Sequence, residues 1–394
     1  MTSSRAVVVT HTAQLGGAEL ALERLLAAID REQWDVRVIT LGPGPLVDRL
    51  RATGIPVEVV DERDLAQAGR ETAGRVLSVV GQVPGAVRTM RRLRSALRRD
   101  SPDLVVANSL KAAVLVPGAL TFSRVPWVWH LHDRLARDYL PSAAVRGLRL
   151  LASRGPHTVV ANSRATQAEL PRRARDHTVV AYPGVDPSLG AVARERPQPP
   201  VVGLVGRIGP TKGQREFVQA ARLVARSRPD VRFVIIGAAL FGDQDYESAV
   251  RAEAGDAVAW LGWTDDPVGA IAGLTVLAHA SPVPEPFGQV VAEAVCLGVG
   301  VVATEAGGVP EILAPRGVVT DASSGLRHGD HGLLVKPGDV EGLARALEAA
   351  IACQDGADGD GSRRASAVEA LSIDRTAATV NEAWSAALAS RRGG

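Results

Sequence analysis

Residues 281–315 read SPVPEPFGQVVAEAVCLGVGVVATEAGGVPEILAP and place two carboxylates, Glu285 and Glu293, in an otherwise apolar setting. Glutamate is rarely buried without a partner, so Glu293 within VVAEAVCLGVGVVA needs a role. Pro286 disfavours helical geometry at Glu285, and the helix that carries Glu293 is expected to begin near Phe287 or Gly288. Its first N–H groups have no intrahelical acceptors and attract anions and hydroxyl oxygens. One carboxylate at the mouth of such a helix and another a turn or more inside suit an elongated ligand with hydroxyls at two places. A sugar nucleotide, with a hexose at one end and a ribose diol at the other, is such a ligand. A buried amphipathic helix with two incidental charges is the plainer alternative.

A second chemical motif is GLVGRIGPTKG (203–213), a strand ending in a glycine-rich turn that carries Arg207 and Lys212. Fixed cations beside exposed backbone amides suit a diphosphate, and Lys212 is one of only three lysines in the chain. Gly16-Gly17-Ala18-Glu19 follows the first strand and opens a helix, where glycine lets a ligand approach the backbone. In WVWHLHD, His130 and His132 point to the same side of a strand that is expected to end at Asp133. Asp243-Gln244-Asp245 has the look of a metal-binding DxD. Its place between a strand and a helix instead fits a turn or N-cap aspartate, and no metal is expected.

The spacing Glu-PFGQVVA-Glu, the trailing Gly307-Gly308-Val309-Pro310-Glu311 and the Arg207/Lys212 pair together resemble the retaining glycosyltransferases of family 4, which have a GT-B fold. The resemblance spans nearly the whole chain and is strongest over 201–340. It implies a nucleoside-diphosphate-sugar donor, UDP being the commoner nucleotide, and an acceptor hydroxyl of a glycan, a lipid-linked molecule or a small molecule. It further implies that Glu293 binds the ribose diol. Glu285 and the amides near Phe287, Gly288 and Gln289 would hold sugar hydroxyls, and Arg207 and Lys212 the diphosphate. Gly16 and Gly17 would face the donor phosphates. His132 would contact the sugar or the reacting centre, with His130 the alternative and Asp133 beside it. No cofactor is implied. A sugar-nucleotide epimerase of the same fold and a non-catalytic sugar-nucleotide-binding partner are the competing readings. Two departures from the family pattern stand out: a longer connection between Ile312 and Gly332, and Lys336 before Pro337-Gly338-Asp339.

These motifs need two scaffolds. Val-rich runs at 6–11, 36–40, 57–60, 104–108, 127–132, 158–162 and 177–182 alternate with helical stretches. The alternation restarts at 201–206, 232–237, 257–262, 274–279, 301–304 and 332–336. Unbroken apolar strands alternating with helices argue for parallel sheets covered on both faces. The expected fold is therefore α/β, with two Rossmann-like doubly wound domains facing each other across a cleft. The resemblance further implies that residues 1–186 form the acceptor-side domain, joined by a crossover helix from 375–394, and residues 187–374 the donor-side domain. ARERPQPP (193–200) reads as a linker and 356–362 as a flexible loop.

The chain has 394 residues, long enough for two ordinary domains. Its net charge is +2. Residues 1–185 hold 26 Lys and Arg against 17 Asp and Glu, which gives +9, and the remainder hold 19 against 26, which gives −7. That asymmetry marks a boundary rather than a nucleic-acid binder. Only Cys296 and Cys353 are present, so a reducing compartment is expected. The N-terminus has no signal-peptide pattern and no run is long enough to span a bilayer, which favours a cytoplasmic protein. Arginines at 87–99 and 146–154 form basic helical faces. A solvated surface is the default reading for them, and peripheral contact with anionic lipid is the sharper one.

Overall fold

The computed structural model of the protein describes residues 3–60, 79–138, 140–240, 242–356 and 361–392. Most of the loop expected at 356–362 lies outside the described residues. The chain divides into two compact units, Met1–Gly184 with Ile373–Gly394, and Val185–Ser372.

The first unit contains β1 (Ser4–Thr10), β2 (Trp34–Thr40), β3 (Val57–Val59), β4 (Leu104–Ala107), β5 (Trp127–Leu131), β6 (Thr158–Ala161) and β7 (Thr178–Val180). They form one parallel sheet in the order β3-β2-β1-β4-β5-β6-β7. Side chains alternate between the faces of a strand, and here both faces are buried. Ala6 and Val8 join one core with the helices Gly17–Ala28 and Pro45–Ala52. Val7 and Val9 join another with the helices Val79–Asp100, Leu110–Ala119 and Ser142–Arg154. That double burial is why these strands read as continuous apolar runs.

The last helix, Ile373–Arg392, completes the first core. Trp384 is fully buried and stands edge-on to Trp34, with ring centroids 5.4 Å apart. The Trp34 indole donates to Asn381 Oδ1 at 2.5 Å, Asn381 donates to Gln33 at 2.8 Å, and Gln33 donates to Ser385 at 2.8 Å. The helix is therefore held by both apolar area and a satisfied polar seam.

The second unit contains β8 (Val201–Val205), β9 (Arg232–Ile236), β10 (Ala259–Gly262), β11 (Val276–His279), β12 (Gly300–Thr304), β13 (Val319–Thr320), β14 (Arg327–His328) and β15 (Leu333–Val335). Their order is β10-β9-β8-β11-β12-β15-β14-β13. All pairings are parallel except β13–β14 and β14–β15. The connection after Ile312 is thus not a plain loop, because it adds two short antiparallel strands to the sheet edge.

Segment 193–200 is not a linker either. It belongs to the second unit, where Arg194 donates to the carbonyls of Ala272 at 3.0 Å, of Gly298 at 2.8 Å and of Leu274. A guanidinium that satisfies three carbonyls anchors this stretch, despite the proline content that made it look extended and free.

Along the parallel part of each sheet the strand order reverses once, between β1 and β4 and between β8 and β11. Ligands of doubly wound sheets bind beyond the carboxyl ends of the strands at such points. Because Trp384 fills the core of the first unit, Trp384→Ala should cost about 3–5 kcal/mol, measured by urea unfolding followed by circular dichroism.

Candidate active site

In the second unit the reversal point gathers loops from β8, β11 and β12. The β8 loop, 206–213, is pinned from below by Ile208, which is fully buried. Gln214, also fully buried, donates to the carbonyl of Arg207 at 3.0 Å. Gly213 has a left-handed φ of 78°, and a Cβ there would lie 2.0 Å from the carbonyl oxygen of Ala280. No other residue lets this loop approach the end of β11 so closely.

Both cations of the loop meet carboxylates. Lys212 Nζ donates to Glu285 Oε1 at 2.6 Å and to Oε2 at 2.8 Å. Arg207 Nη1 donates to Asp243 Oδ2 at 2.7 Å. Asp243 stands at the N-cap position of the helix Gln244–Ala254, yet its side chain caps no backbone amide. The capping role expected for it is replaced by this ion pair.

Glu285 is the centre of the site, with only 18% of its side chain exposed. Besides Lys212 it meets Ser281 Oγ at 3.4 Å and His279 Nε2 at 3.7 Å. His279 is held in turn by Thr304 Oγ1, 3.3 Å from its Nδ1. Burial pushes the Glu285 carboxyl up, but the Lys212 ammonium and the His279 ring outweigh it and hold the group well below the usual carboxylate range. The backbone is fixed as well. Gly308 N–H donates to the Glu285 carbonyl at 2.9 Å, and a Cβ on Gly307, whose φ is 66°, would lie 1.9 Å from that same oxygen. The glycine pair of the 304–311 stretch is therefore a close-approach device.

The helix after Glu285 runs Gln289–Leu297 with Gly288 as its left-handed N-cap, one residue later than expected. Phe287 is buried. Glu293 is 5% exposed and accepts from Gln289 Nε2 at 2.9 Å, a helical i,i+4 contact. Burial, with Glu293 nearby, pushes the Cys296 thiol up to about 12, so this cysteine is inert.

The remaining sequence candidates lie in the first unit. Gly16 caps the helix Gly17–Ala28, and a Cβ on Gly17 would meet nothing within 4 Å, which leaves open space above it. His132 follows β5. It stands 3.0 Å from Asn108 Oδ1 at the end of β4, and its carbonyl accepts from Asn162 Nδ2 at 2.9 Å at the end of β6. Asp133 follows it, half-buried. His130 is buried and its Nε2 accepts the Trp384 indole N–H at 3.1 Å. An indole only donates, so the ring proton of neutral His130 sits on Nδ1. The two histidines also line a cavity of about 30 Å³ with Asn108 and Asn162. That is room for one water rather than a sugar, and it places His130 in the scaffold.

The structure thus brings Lys212 and Glu285 into contact and sets Arg207, Gln289 and Glu293 on the same unit, with Gly16, Gly17, His130, His132 and Asp133 on the other. His279, Ser281, Asp243, Asn108 and Asn162 are site neighbours that motif spacing does not reveal. The polar positions at strand ends, such as His279 closing VLAH, are the one signal that could have found them.

Two family models cover most of the chain. Residues 15–189 match Glycosyltransferase Family 4, and residues 191–366 match Glycosyl transferases group 1. The chain belongs to the family 4 glycosyltransferases. This glycosyltransferase has the GT-B type of fold. It is similar to Anabaena HepE, solved with UDP and glucose, at 28% identity and a TM-score of 0.74 over 98% of this chain and 99% of that one. Against HepE solved with UDP-glucose, identity is 27% and the TM-score 0.75. It is also similar to the lipopolysaccharide core biosynthesis glycosyltransferase LpsE of Rhizobium meliloti, with 27% identity over 66% of this chain and 69% of that protein. A D-inositol 3-phosphate glycosyltransferase of Segniliparus rotundus is 34% identical over 36% of this chain and 35% of its own.

Two outcomes follow for this glycosyltransferase. Lys212→Met strands a charged, mostly buried carboxylate and should cost about 1–3 kcal/mol. Adding Glu285→Gln should recover most of that loss in a chemical-denaturation cycle. The second outcome concerns the histidines of the first unit. Burial lowers His130 to about 3, with His132 adding to the effect, and lowers His132 to about 4. Below about pH 6.5 the unfolded chain takes up protons that the folded one refuses. Stability should therefore be complete above that pH and fall as pH drops from about 6.5 towards 4, and His130→Gln should flatten the slope.

Proposed function

We propose that this glycosyltransferase moves a hexose from a UDP-sugar to an acceptor hydroxyl with retention of anomeric configuration. The observation that carries the reading is the Lys212–Glu285 contact at the strand-order reversal, beside the helix Gln289–Leu297. It joins a cation suited to phosphate with a carboxylate suited to hydroxyls. Glu285 and the amides of Phe287, Gly288 and Gln289 bind the sugar, and Glu293 binds the ribose diol. Arg207 and Lys212 neutralise the departing diphosphate, which is electrostatic stabilisation of charge as it develops. With two fixed cations in place the reading needs no metal and no cofactor. UDP is favoured because HepE, similar over nearly its full length, was solved with UDP and with UDP-glucose.

Retention is assigned to attack on the face that the leaving group departs from. The bond from the anomeric carbon to the β-phosphate oxygen breaks, the acceptor oxygen bonds to that carbon, and the phosphate oxygen takes the acceptor proton. No protein nucleophile is required. Gly16, Gly17 and His132 are the first unit's contribution on this reading. An epimerase would turn over the donor without an acceptor, and a binding partner would hold it without turnover.

We propose further that the acceptor is lipid-linked and met at an anionic bilayer. No described helix is long and apolar enough to cross a membrane. Among the described residues of the first unit, the exposed large hydrophobics are Val114, Phe122 and Leu150, and all lie on or beside the helices Leu110–Ala119 and Ser142–Arg154. Phe122 is 97% exposed and has a left-handed φ of 67°, strain that a bulky residue seldom bears without cause. Arg91, Arg98, Arg124, Arg146 and Arg154 are exposed on the same helical layer, and neither of those two helices contains an acidic residue. Apolar tips among arginines suit an anionic surface.

Thermal shift and calorimetry with UDP, UDP-glucose, GDP and ADP test the donor. UDP ligands should stabilise the protein, by about 2.7 kcal/mol at 100 times the dissociation constant, and Glu293→Ala should abolish the shift. Lys212→Met should lower kcat by about 10²–10³. Stabilisation by none of these nucleotides would sink the reading. Product NMR checks retention, and an inverted anomer would refute it. Flotation with phosphatidylglycerol vesicles should capture the protein and phosphatidylcholine vesicles should not. Phe122→Asp should lose the capture, and equal recovery with both lipids would refute the bilayer proposal.

A further inference from the structure

The connection between Ile312 and Gly332 is a built element. Asp321 caps its tip, accepting from the Ser323 amide at 2.8 Å and from the Ser324 hydroxyl at 2.7 Å. At its base, Asp330 accepts from the Arg316 amide at 3.0 Å and from Arg316 Nε at 2.6 Å, and His331 N–H donates to the Leu313 carbonyl at 2.9 Å. Between them β14 pairs with β15, which sets Arg327 opposite Leu334.

Arg327 reaches from this hairpin to Glu305. Its Nε donates to Oε2 and its Nη2 to Oε1, both at 2.7 Å. This fork-on-carboxylate geometry fixes direction as well as distance. With the side chains 31% and 25% exposed, such a pair adds little to stability. Its location matters more. Glu305 opens the turn that leaves β12, and its own amide is tied to Val335 O at 2.7 Å. On one side, Thr304 touches His279, which touches the Glu285 carboxylate. On the other, Gly307 and Gly308 hold the Glu285 backbone. The segment 304–308 thus grips Glu285 by main chain and side chain alike, and the only hairpin arginine that meets the segment grips it at Glu305.

We propose that Arg327 is a positioning residue for Glu285. Acting through Glu305, it sets the 304–308 segment, so that the hairpin tunes the sugar end of the donor site and leaves the nucleotide end alone. This rests on the reading of Glu285 as the sugar-binding carboxylate.

The test uses the full chain with Arg327→Met, Glu305→Gln, their double variant and Arg327→Lys. The first readout needs no ligand: hydrogen exchange at the Gly308 amide, which Glu285 O holds, should speed up in Arg327→Met and in Glu305→Gln. Calorimetry should then show UDP binding within twofold of the unaltered protein and UDP-glucose binding weakened about three- to thirtyfold. The double variant should be no worse than either single one, and Arg327→Lys should recover part of the loss. Unchanged Gly308 exchange overturns the proposal whatever the ligand. So does an equal loss of UDP and UDP-glucose, which is what simple damage to the unit would give. If Arg327→Met fails to fold, Glu305→Gln carries the same comparison. Binding of neither ligand by the unaltered protein sinks the donor reading itself, a result distinct from unchanged exchange.

Discussion

The second unit is organised around a carboxylate that must stay charged while largely removed from water. Glu285 can do so only if a cation reaches it, and the available cation sits on the loop of another strand. Lys212 follows β8 and Glu285 follows β11, so their contact draws the two loops together at the point where strand order reverses. The turn after β12 closes the third side through Gly307 and Gly308. Three chain segments converge on one residue, and the glycines at 213 and 307 stand where that convergence leaves no space for a Cβ. The same polarity that fixes the loops leaves an ammonium and a carboxylate side by side.

The first unit resolves the opposite problem. His130 lies in β5, an interior strand of its sheet, and His132 just after it, and their surroundings hold both neutral. An indole donor faces His130 and an asparagine faces His132. At these two positions the first unit presents oriented neutral side chains, where the second holds the Lys212–Glu285 ion pair.

The secondary-structure framework was readily legible from the chain. Each Val-rich run became a strand, and in the central strands burial on both faces leaves no polar alternation to blur the pattern. The Glu285/Glu293 and Arg207/Lys212 positions were legible because their residue types are out of place in apolar or Lys-poor surroundings. What did not show was pairing across long sequence separations. Asp243 looked like a cap and is the counter-ion of Arg207, 36 positions away. His279 and Ser281 carry no motif, and their role appears only once β11 delivers them beneath Glu285. The β13–β14 hairpin escaped notice because two-residue strands have no periodicity to read. The segment 193–200 misled because proline-rich composition describes local stiffness and says nothing of Arg194 reaching three carbonyls.

The helix that carries Trp384 has a consequence for how this chain comes into being. During synthesis residues 1–184 leave the ribosome before residues 185–372, yet the core formed by Val8, Trp34 and their neighbours waits for Trp384, which is made after both. Residues 185–372 hold a self-sufficient core and emerge whole before that helix is translated. The usual N-to-C order of domain maturation is therefore reversed in this chain, because the half that is synthesised first is the half that is finished last.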